Sequence, residues 1–172
     1  MSPTPEIQER PAADYAAIAA DVTMETMADV LPPLTPRLAE YLAKRGLEPC
    51  GPPFWRYRVI DMTGVLRVEV GFPLAAELDE QVDMPGDVVS GVLPAGTYVT
   101  TMHVGAPDEL LDATSALLAW GDDAGLEWDR TTEPDGDHWT CRLEEYLSDP
   151  ADEPDQTKWR TRLAFKTRSG AR

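Results

Sequence analysis

The sequence has little of what metal sites and disulfides are made from, with two cysteines and two histidines in 172 residues. Cys50 and Cys141 lie far apart and show no C-x-x-C spacing, and His103 and His138 are equally isolated. Zinc sites and disulfide frameworks need clustered ligands or regularly spaced cysteines. We therefore predict free thiols, no metal site and no cofactor.

Positive charge is also scarce, with 15 Lys and Arg against 31 Asp and Glu and a formal net charge of −16. Proteins that bind nucleic acid directly need Lys or Arg side chains to neutralise the phosphates. A basic cluster occurs in residues 157–172, which we interpret as an exposed edge or outer strand with a frayed tail. Direct contact with nucleic acid is therefore not expected, and the sign of the charge favours cationic small molecules.

Long hydrophobic runs are missing too, since no apolar stretch approaches the roughly 20 residues that a membrane-spanning helix needs. Residues 1–11 lack the basic-then-apolar order of a signal peptide. We therefore predict a cytoplasmic protein without a membrane segment. With 42% hydrophobic and 27% charged residues, the composition is that of a globular protein, and we treat residues 1–172 as one domain.

Two short patterns recur in the same order in the two halves of the chain. Pro-Ala-x-x-Tyr begins at Pro11 and recurs 83 residues later at Pro94, and Gly-Leu-Glu begins at Gly46 and recurs 79 residues later at Gly125. Such internal similarity indicates a duplicated structural unit. The elements predicted around the two patterns give each half the order strand–helix–strand–strand.

In the first half, a strand is predicted after Tyr15, and two more strands over 54–61 and 64–74. Between them, apolar residues at helical spacing predict a helix that ends at Gly46, after basic residues in its last turn. The proline pair 32–33 is expected either to precede this helix or to break it into two pieces.

The second half repeats this plan. A strand over 88–105 precedes a helix that begins at Pro107 and ends at Gly125. Two further strands are predicted over 138–147 and 158–167. The matching order of elements supports the duplication.

These elements predict an α+β fold of two modules related by a pseudo-twofold axis, about 5–74 and about 88–167, with a connector over 75–87. The antiparallel strands would lie side by side, with the helices on one face. Two modules paired in this way leave a central cleft between them, and such clefts are common ligand sites.

Four segments then identify a family when they are taken in order. They are LPPLTPRLAEYLAKRG from Leu31, GPPFWRYR from Gly51 with VEVGFPL close behind it, LPAGTYVTTMHVG from Leu93, and LEEYLSDP from Leu143. Together they resemble the GyrI-like small-molecule-binding family, which also supplies the effector-binding domains of AraC-type and MerR-type transcription regulators. The last segment is similar to the family's Glu-x-Tyr-Leu-x-(Asp/Asn)-Pro. The resemblance covers about residues 5–167 and rests on the shared order of the segments.

The resemblance implies a central aromatic cleft that binds lipophilic, often cationic, aromatic compounds, with a glutamate as the counter-charge. The glutamate two residues before the tyrosine of the last segment is Glu144. On a strand it would share the cleft face with Arg142 and Tyr146. Leu143 would then face the helices. If the register slips by one residue, Glu145 takes the place of Glu144.

Aromatic residues supply the rest of the predicted site. Tyr15 and Tyr98 occupy equivalent positions in the repeat and are expected to line the cleft from both sides. Trp120 lies near a helix end, where it would cap the groove or pack on the sheet. A surface glutamate paired with Arg142 or Arg162 is the alternative interpretation of Glu144. The candidate ligand-binding residues are Glu144, Tyr146, Tyr15, Trp55, Tyr57, Phe72, Tyr98, Trp120 and Trp139.

Three functions are compatible with this interpretation. The first is a stand-alone binding module for lipophilic cations of the multidrug type, because about ten residues precede the first predicted strand, too few for a helix-turn-helix. The second, implied by stand-alone family members, is a hydrolase of electrophilic cyclopropane-bearing natural products, with Glu144 as base and Tyr146 or Tyr57 as proton donor. The third is an acidic inhibitor of the gyrase-inhibitor type, whose negative surface mimics DNA toward a protein partner. The sequence does not identify that partner.

Overall fold

The computed structural model describes residues 3–75 and 86–168 of the chain. The predicted connector at 75–87 falls largely outside these residues. Within the described ranges, no helix combines the length and the apolar character that crossing a membrane would require.

The first half of the chain forms the predicted helix and strands and adds one strand at the start. In chain order its elements are β1 (Glu6–Arg10), β2 (Ala13–Val22), α1 (Met27–Val30), α2 (Leu34–Lys44), β3 (Phe54–Ile60) and β4 (Leu66–Leu74).

The second half follows the same order and adds a small hairpin. Its elements are β5 (Val88–Leu93), β6 (Gly96–Val104), a 3₁₀ turn (Pro107–Glu109) leading into α3 (Leu110–Asp123), β7 (Arg130–Glu133), β8 (Gly136–Trp139), β9 (Arg142–Tyr146), a second 3₁₀ turn (Gln156–Lys158) and β10 (Arg160–Lys166).

The predicted ends of both helices are confirmed, whereas the second helix begins with a 3₁₀ turn at Pro107 and becomes α-helical at Leu110. α2 is followed by Gly46 at φ 68° and α3 by Gly125 at φ 76°, a left-handed conformation that glycine adopts without a steric penalty. The proline pair 32–33 separates α1 from α2, because proline lacks the N–H that would continue the helical hydrogen bonding.

Prolines also divide strands that the sequence alone did not separate. β5 and β6 are divided at Pro94 rather than forming the one strand predicted over 88–105. In the first half, β1, which was not predicted, is divided from β2 at the equivalent position, Pro11. Proline cannot donate to a neighbouring strand, so the ladder is interrupted there. The expectation that about ten residues precede the first strand is therefore wrong, because β1 begins at Glu6.

The strand predicted over 138–147 is likewise two strands, β8 and β9, and β7 pairs with β8 as a hairpin that was not predicted. The chain changes partner between them, since Thr140 N–H still donates to Asp129 O at 2.9 Å, whereas the Cys141 carbonyl accepts from Lys166 N–H at 2.9 Å. Gly136 makes the hairpin turn at φ 127°, where a side chain would collide with the backbone of Ile60.

The strands form an antiparallel sheet in the order β1-β6-β10-β9-β3-β4-β2-β5, with the β7–β8 hairpin attached to β3. Counted from the centre outward, β3, β4 and β2 of the first half are equivalent to β9, β10 and β6 of the second. Each half receives its edge strand from the other half. β5 of the second half pairs with β2 of the first, and β1 of the first half pairs with β6 of the second. The predicted α+β fold with pseudo-twofold symmetry is confirmed.

Both long helices pack on one face of this sheet, as predicted. α2 contacts β2 and β4, and α3 contacts β6. On the α2 side, Leu38 of the helix packs with Ile18 of the sheet. On the α3 side, Leu117 packs with Val99 and Leu163. The central strands β3 and β9 lie between these two helix-covered regions.

The opposite face has a core of its own, and Leu143 belongs to it. The register between β9 and β10 pairs Leu143 with Ala164. It pairs Glu144 with Leu163, which lies beneath α3. The expectation that Leu143 faces the helices is therefore wrong, since Glu144 and the helices share one face and alternate residues point to opposite faces. The buried members of this second core are Tyr15, Ala17, Phe54, Tyr98, Cys141, Leu143 and Ala164.

Candidate ligand-binding site

The sequence repeat can be followed through the sheet from strand to strand. The residue after Tyr15 pairs with Phe72 of β4, and the residue after Tyr98 pairs with Phe165 of β10. Phe72 and Phe165 are therefore equivalent positions in the two modules. The repeat seen in the sequence thus continues into the strand pairing.

The same comparison at the next strands locates the symmetry axis. It makes Phe54 of β3 equivalent to Leu143 of β9. The next residues along the two strands, Trp55 and Glu144, are then equivalent as well, and they pair directly with each other. The pseudo-twofold axis therefore passes between Trp55 and Glu144, at the centre of the sheet.

Two equivalent tyrosines hold the carboxylate of Glu144. Tyr57 of β3 and Tyr146 of β9 each lie two residues beyond the axial pair, and so share its face. The hydroxyl of Tyr57 donates to Glu144 Oε1 at 2.8 Å, and that of Tyr146 donates to the same oxygen at 2.7 Å. A symmetric pair of donors thus serves one acidic side chain on the axis.

This carboxylate is buried and takes part in no ion pair with another described residue. Glu144 is 8% exposed, and none of the ion pairs among the described residues includes it. Burial, together with the Glu144 charge, raises the pKa of Tyr57 and of Tyr146 well above the usual value. Both hydroxyls therefore stay protonated at neutral pH and act as donors.

Aromatic rings enclose this group from both modules. Trp55 meets Tyr146 edge to face, with ring centres 5.1 Å apart and the planes at 67°. Trp55 and Tyr57 pack with Leu31, next to the start of α2. Tyr146 packs instead with the core that contains Leu117 of α3. Glu144 is thus flanked by side chains that reach the helix of each module.

Arg142 adds a positive charge on the same face, two residues before Glu144. Its Nε is buried without a hydrogen-bond partner. Burial lowers the pKa of Arg142, and the nearby Glu144 carboxylate opposes this. The guanidinium carbon lies over three ring centres, at 4.6 Å from Phe165, 5.1 Å from Trp139 and 5.6 Å from Tyr57.

Glu145, the other candidate for the counter-charge, points to the opposite face. Its Oε1 accepts from Arg10 Nη2 at 3.0 Å and from Arg162 Nε at 2.9 Å. The alternative interpretation had Glu144 paired with Arg142 or Arg162. In the structure, Arg162 forms its ion pair with Glu145 instead. Glu144 is therefore the one of the two neighbours that shares a face with the helices.

Tyr15 and Tyr98 are not brought to Glu144. Both belong to the core of the opposite face, where the Tyr15 hydroxyl donates to Glu69 at 2.6 Å and accepts from Arg56 at 2.9 Å. The expectation that the two tyrosines line the same cleft as Glu144 is wrong. They are equivalent in the repeat, but the strand register directs both away from the helices.

Phe72 and Trp120 lie on the helix side but border separate grooves. A groove of about 360 Å³ runs beside α2 and is lined by Phe72. Another of about 290 Å³ runs between α3 and residues 3–5 and is lined by Trp120. Glu144 lines neither of them. Trp139 is 4% exposed and packs under α3, where it contacts Arg142 rather than the carboxylate.

Sequence reasoning did not predict that aromatic rings contact the Arg142 guanidinium. Phe165 was not singled out, although it is the repeat equivalent of Phe72 and faces the helices. Tracing the repeat through both final strands would have found it.

Among the described residues, no three His, Cys, Asp or Glu are grouped so that they could hold a metal ion. Both cysteines are free thiols, Cys50 exposed and Cys141 buried.

Residues 3–167 match the family model of the GyrI-like small molecule binding domain. No curated protein sequence matches the chain at a significant level. Among solved structures, the C-terminal domain of EcmrR is similar over 96% of this chain and 98% of its own length, with a TM-score of 0.72 and 19% identity. In the EcmrR–DNA complex, this chain spans 57% of the EcmrR chain.

Two further structures share the fold at lower similarity. SAV2435 bound to tetraphenylphosphonium has a TM-score of 0.59 and 11% identity, over 96% of this chain and 94% of its own. A hydrolase from Listeria innocua has a TM-score of 0.60 and 17% identity, over 95% of this chain and 91% of its own. At these identities the likeness establishes a common fold.

Proposed function

The chain belongs to the GyrI-like small-molecule-binding family, and on that basis we propose that it binds lipophilic cationic aromatic compounds at Glu144, on the helix face of β3 and β9. The observation that carries this proposal is a buried carboxylate at the symmetry axis, held by two tyrosine hydroxyls and faced by Trp55. The binding face lies between the two helices.

The burial of the Glu144 carboxylate favours a cation beside it. Removing a carboxylate from water costs several kcal/mol unless a cation or hydrogen bonds compensate. Glu144 receives hydrogen bonds from Tyr57 and Tyr146, which offset only part of that cost because neutral hydroxyls carry no full charge. A ligand cation would supply the remaining compensation. A buried carboxylate can also serve as part of a structural ion-pair network. On β9 it is Glu145 that forms such a network, with Arg10 and Arg162.

The surrounding rings favour a flat or branched aromatic ligand. A cation over an aromatic face gains about 0.5–2 kcal/mol, and Trp55 and Tyr146 provide such faces beside the carboxylate. Apolar contact with rings requires no directional partner, so ligands of varied shape can be accepted. The structurally similar SAV2435 binds tetraphenylphosphonium, which makes this compound a suitable probe.

The proposal is tested by titrating tetraphenylphosphonium into the protein by calorimetry, with Glu144→Gln and Glu145→Gln as a matched pair of variants. Each variant removes one carboxylate charge from adjacent positions on opposite faces of β9. We expect Glu144→Gln to weaken binding at least about tenfold, since an interaction with a buried charge is lost, and Glu145→Gln to bind like wild type.

Thermal melting of both variants shows whether each remains folded at the titration temperature. This matters because Glu145 holds Arg10 and Arg162. Equal affinity of wild type and the folded Glu144→Gln variant for the cation would rule out the counter-charge role. A loss of affinity in Glu145→Gln alone would move the site to the opposite face.

A hydrolase is the second candidate function, favoured by the two protonated tyrosines on a single carboxylate. Glu144 could position or deprotonate a water molecule, while Tyr57 or Tyr146 donates a proton to the leaving group. The substrate class would be electrophilic cyclopropane-bearing natural products. Chromatography of such a compound incubated with wild type and with Glu144→Gln tests this. Turnover is expected to fall at least about 100-fold in the variant, and no acceleration by wild type over buffer would exclude the activity.

A further inference from the structure

The proposed ligand site contains a second charged group that its function as a cation site does not use. Arg142 stands two residues from Glu144 on β9, about 6.6 Å along the strand. The ring of Tyr57 joins the two groups, since its hydroxyl donates to Glu144 while its face lies 5.6 Å from the Arg142 guanidinium carbon. The arginine and the glutamate therefore lie on the same face of β9, and Tyr57 contacts both of them.

Aromatic rings contact the guanidinium, and no hydrogen bond joins this group to another of the described residues. Phe165, Trp139 and Tyr57 surround it, while its Nε has no hydrogen-bond partner. None of the ion pairs among the described residues involves Arg142. An arginine has five N–H donors, and a purely structural role normally satisfies several of them.

The other half-buried and buried arginines of the sheet show what such satisfaction looks like. Arg56 has an unpartnered Nε as well, but its Nη1 and Nη2 donate to the Tyr15 hydroxyl and to the Thr140 carbonyl. Arg162 donates to Glu145. Arg142 has rings in the corresponding places. Its donors are therefore available to a group that the folded chain itself does not supply.

We propose that Arg142 is a specificity-determining residue that receives an anionic or strong acceptor group of the ligand, so that the site selects zwitterionic aromatic compounds. The cationic part of the ligand lies at Glu144 and its carboxylate at Arg142. This inference rests on the proposed function of the same site. It adds that a purely cationic ligand leaves the arginine unpaired and is repelled by it.

The electrostatic argument gives the sign of the selectivity. Glu144 and Arg142 together make the floor of the site neutral, so a ligand with a single positive charge is attracted by one group and repelled by the other. A zwitterion of matching polarity is attracted by both. Guanidinium and carboxylate also form bidentate hydrogen bonds, which add geometric specificity to the charge.

The test compares rhodamine B, whose free carboxylate makes it a zwitterion, with its ethyl ester, a cation with the same ring system. Fluorescence anisotropy measures the affinity of both dyes for wild type, Arg142→Met and Arg142→Lys. Arg67→Met serves as the matched control. It removes one positive charge from the opposite face, where Arg67 pairs with Asp21.

We expect wild type and Arg67→Met to prefer the acid to the ester by about tenfold, because a charged hydrogen-bonded pair is present in one complex only. Arg142→Met should lose this preference by binding the acid less tightly and the ester more tightly. Arg142→Lys should retain part of it, since it keeps the charge without the planar fork.

The outcomes separate this inference from the function on which it rests. If wild type binds acid and ester equally well, or prefers the ester, the role of Arg142 is overturned while the cation site stands. If neither dye binds wild type, the proposed function fails and this inference fails with it. The comparison of dyes on wild type decides the matter even if Arg142→Met does not fold.

Discussion

The hydroxyls of Tyr57 and Tyr146 donate to the same oxygen of Glu144, at 2.8 and 2.7 Å. The two tyrosines are equivalent positions of the duplicated module, whereas the glutamate has Trp55 as its equivalent. Duplication therefore produced two donors, and divergence of one position gave them a shared acceptor. An asymmetric charge at a symmetric site is the basis of the predictions that concern the ligand.

The two tyrosines are predicted to stabilise the fold cooperatively. Tyr57→Phe and Tyr146→Phe should each lower the free energy of unfolding by about 2 kcal/mol, the usual contribution of a hydrogen bond to a charged group. The double variant should lose more than the sum, because Glu144 is then buried without a partner. Urea unfolding measures all three values.

Adding Glu144→Gln to the double variant provides the control. The amide carries no charge and is cheaper to bury, so we expect part of the lost stability to return. Additive losses, with no recovery in the triple variant, would show that the two hydroxyls act independently of the carboxylate.

Trp55 is predicted to contribute an aromatic face to the ligand. Trp55→Ala should weaken tetraphenylphosphonium binding about tenfold, and Trp55→Phe much less, because a ring is retained over the cation. Calorimetric titration gives both affinities. Trp159→Phe, at a tryptophan whose Nε1 donates to the Glu153 carbonyl, should bind like wild type. An unchanged affinity in Trp55→Ala would remove this ring from the site.

The opposite face is predicted to make the fold sensitive to alkali. Burial, followed by the hydrogen bond to Glu69, raises the pKa of Tyr15 from 10.0 to about 12. A raised folded-state pKa stabilises the fold fully below pH 10, and this contribution is lost as the pH rises through about 12. Tyr15→Phe should therefore lose stability less steeply in this window, by up to about 1.4 kcal/mol per pH unit.

Chemical unfolding at several pH values between 9 and 12 checks this slope, since the range covers the interval between the usual Tyr pKa of 10.0 and the shifted value. Ultraviolet titration of tyrosinate in the folded protein gives an independent value. Parallel stability curves for wild type and Tyr15→Phe over the window would contradict the prediction.

Gly121 is predicted to be required at its place in α3 despite the low helix propensity of glycine. Alanine normally stabilises a helix interior by about 1 kcal/mol relative to glycine. Here a Cβ at position 121 would overlap the ring of Trp128, so Gly121→Ala should destabilise the fold by about 2 kcal/mol. Gly86→Ala, where a Cβ meets nothing within 4 Å, is the matched control in thermal melting.

Much of the fold could be predicted because its signals are local. Gly46 and Gly125 end helices through their own backbone freedom, and the proline pair 32–33 divides a helix through its missing donors. The strand breaks at Pro11 and Pro94 follow the same chemistry. The break at Pro94 was missed because a proline at a strand end and one inside a strand cannot be told apart until the pairing partner is known. Before Pro11 the strand β1 itself was not predicted.

The site could be predicted only in part. Glu144, Tyr146, Trp55 and Tyr57 were all named and do lie together, because alternation along two neighbouring strands puts them on one face. Tyr15 and Tyr98 fulfil the same repeat criterion and yet point the other way. Repeat equivalence alone says that two residues have the same orientation, but not which face of the sheet they share.

The sequence by itself determined both long helices, most of the strands, the internal repeat and the family, because periodicity, helix-terminating residues and the order of motifs can be read along the chain. It did not determine β1 or the β7–β8 hairpin. Tertiary structure alone decided that Trp55 pairs with Glu144 across the axis and that Glu145 turns away. It also placed the Arg142 guanidinium among Phe165, Trp139 and Tyr57. These relationships depend on the register between strands distant in the chain, and a shift of a single residue would reverse every face.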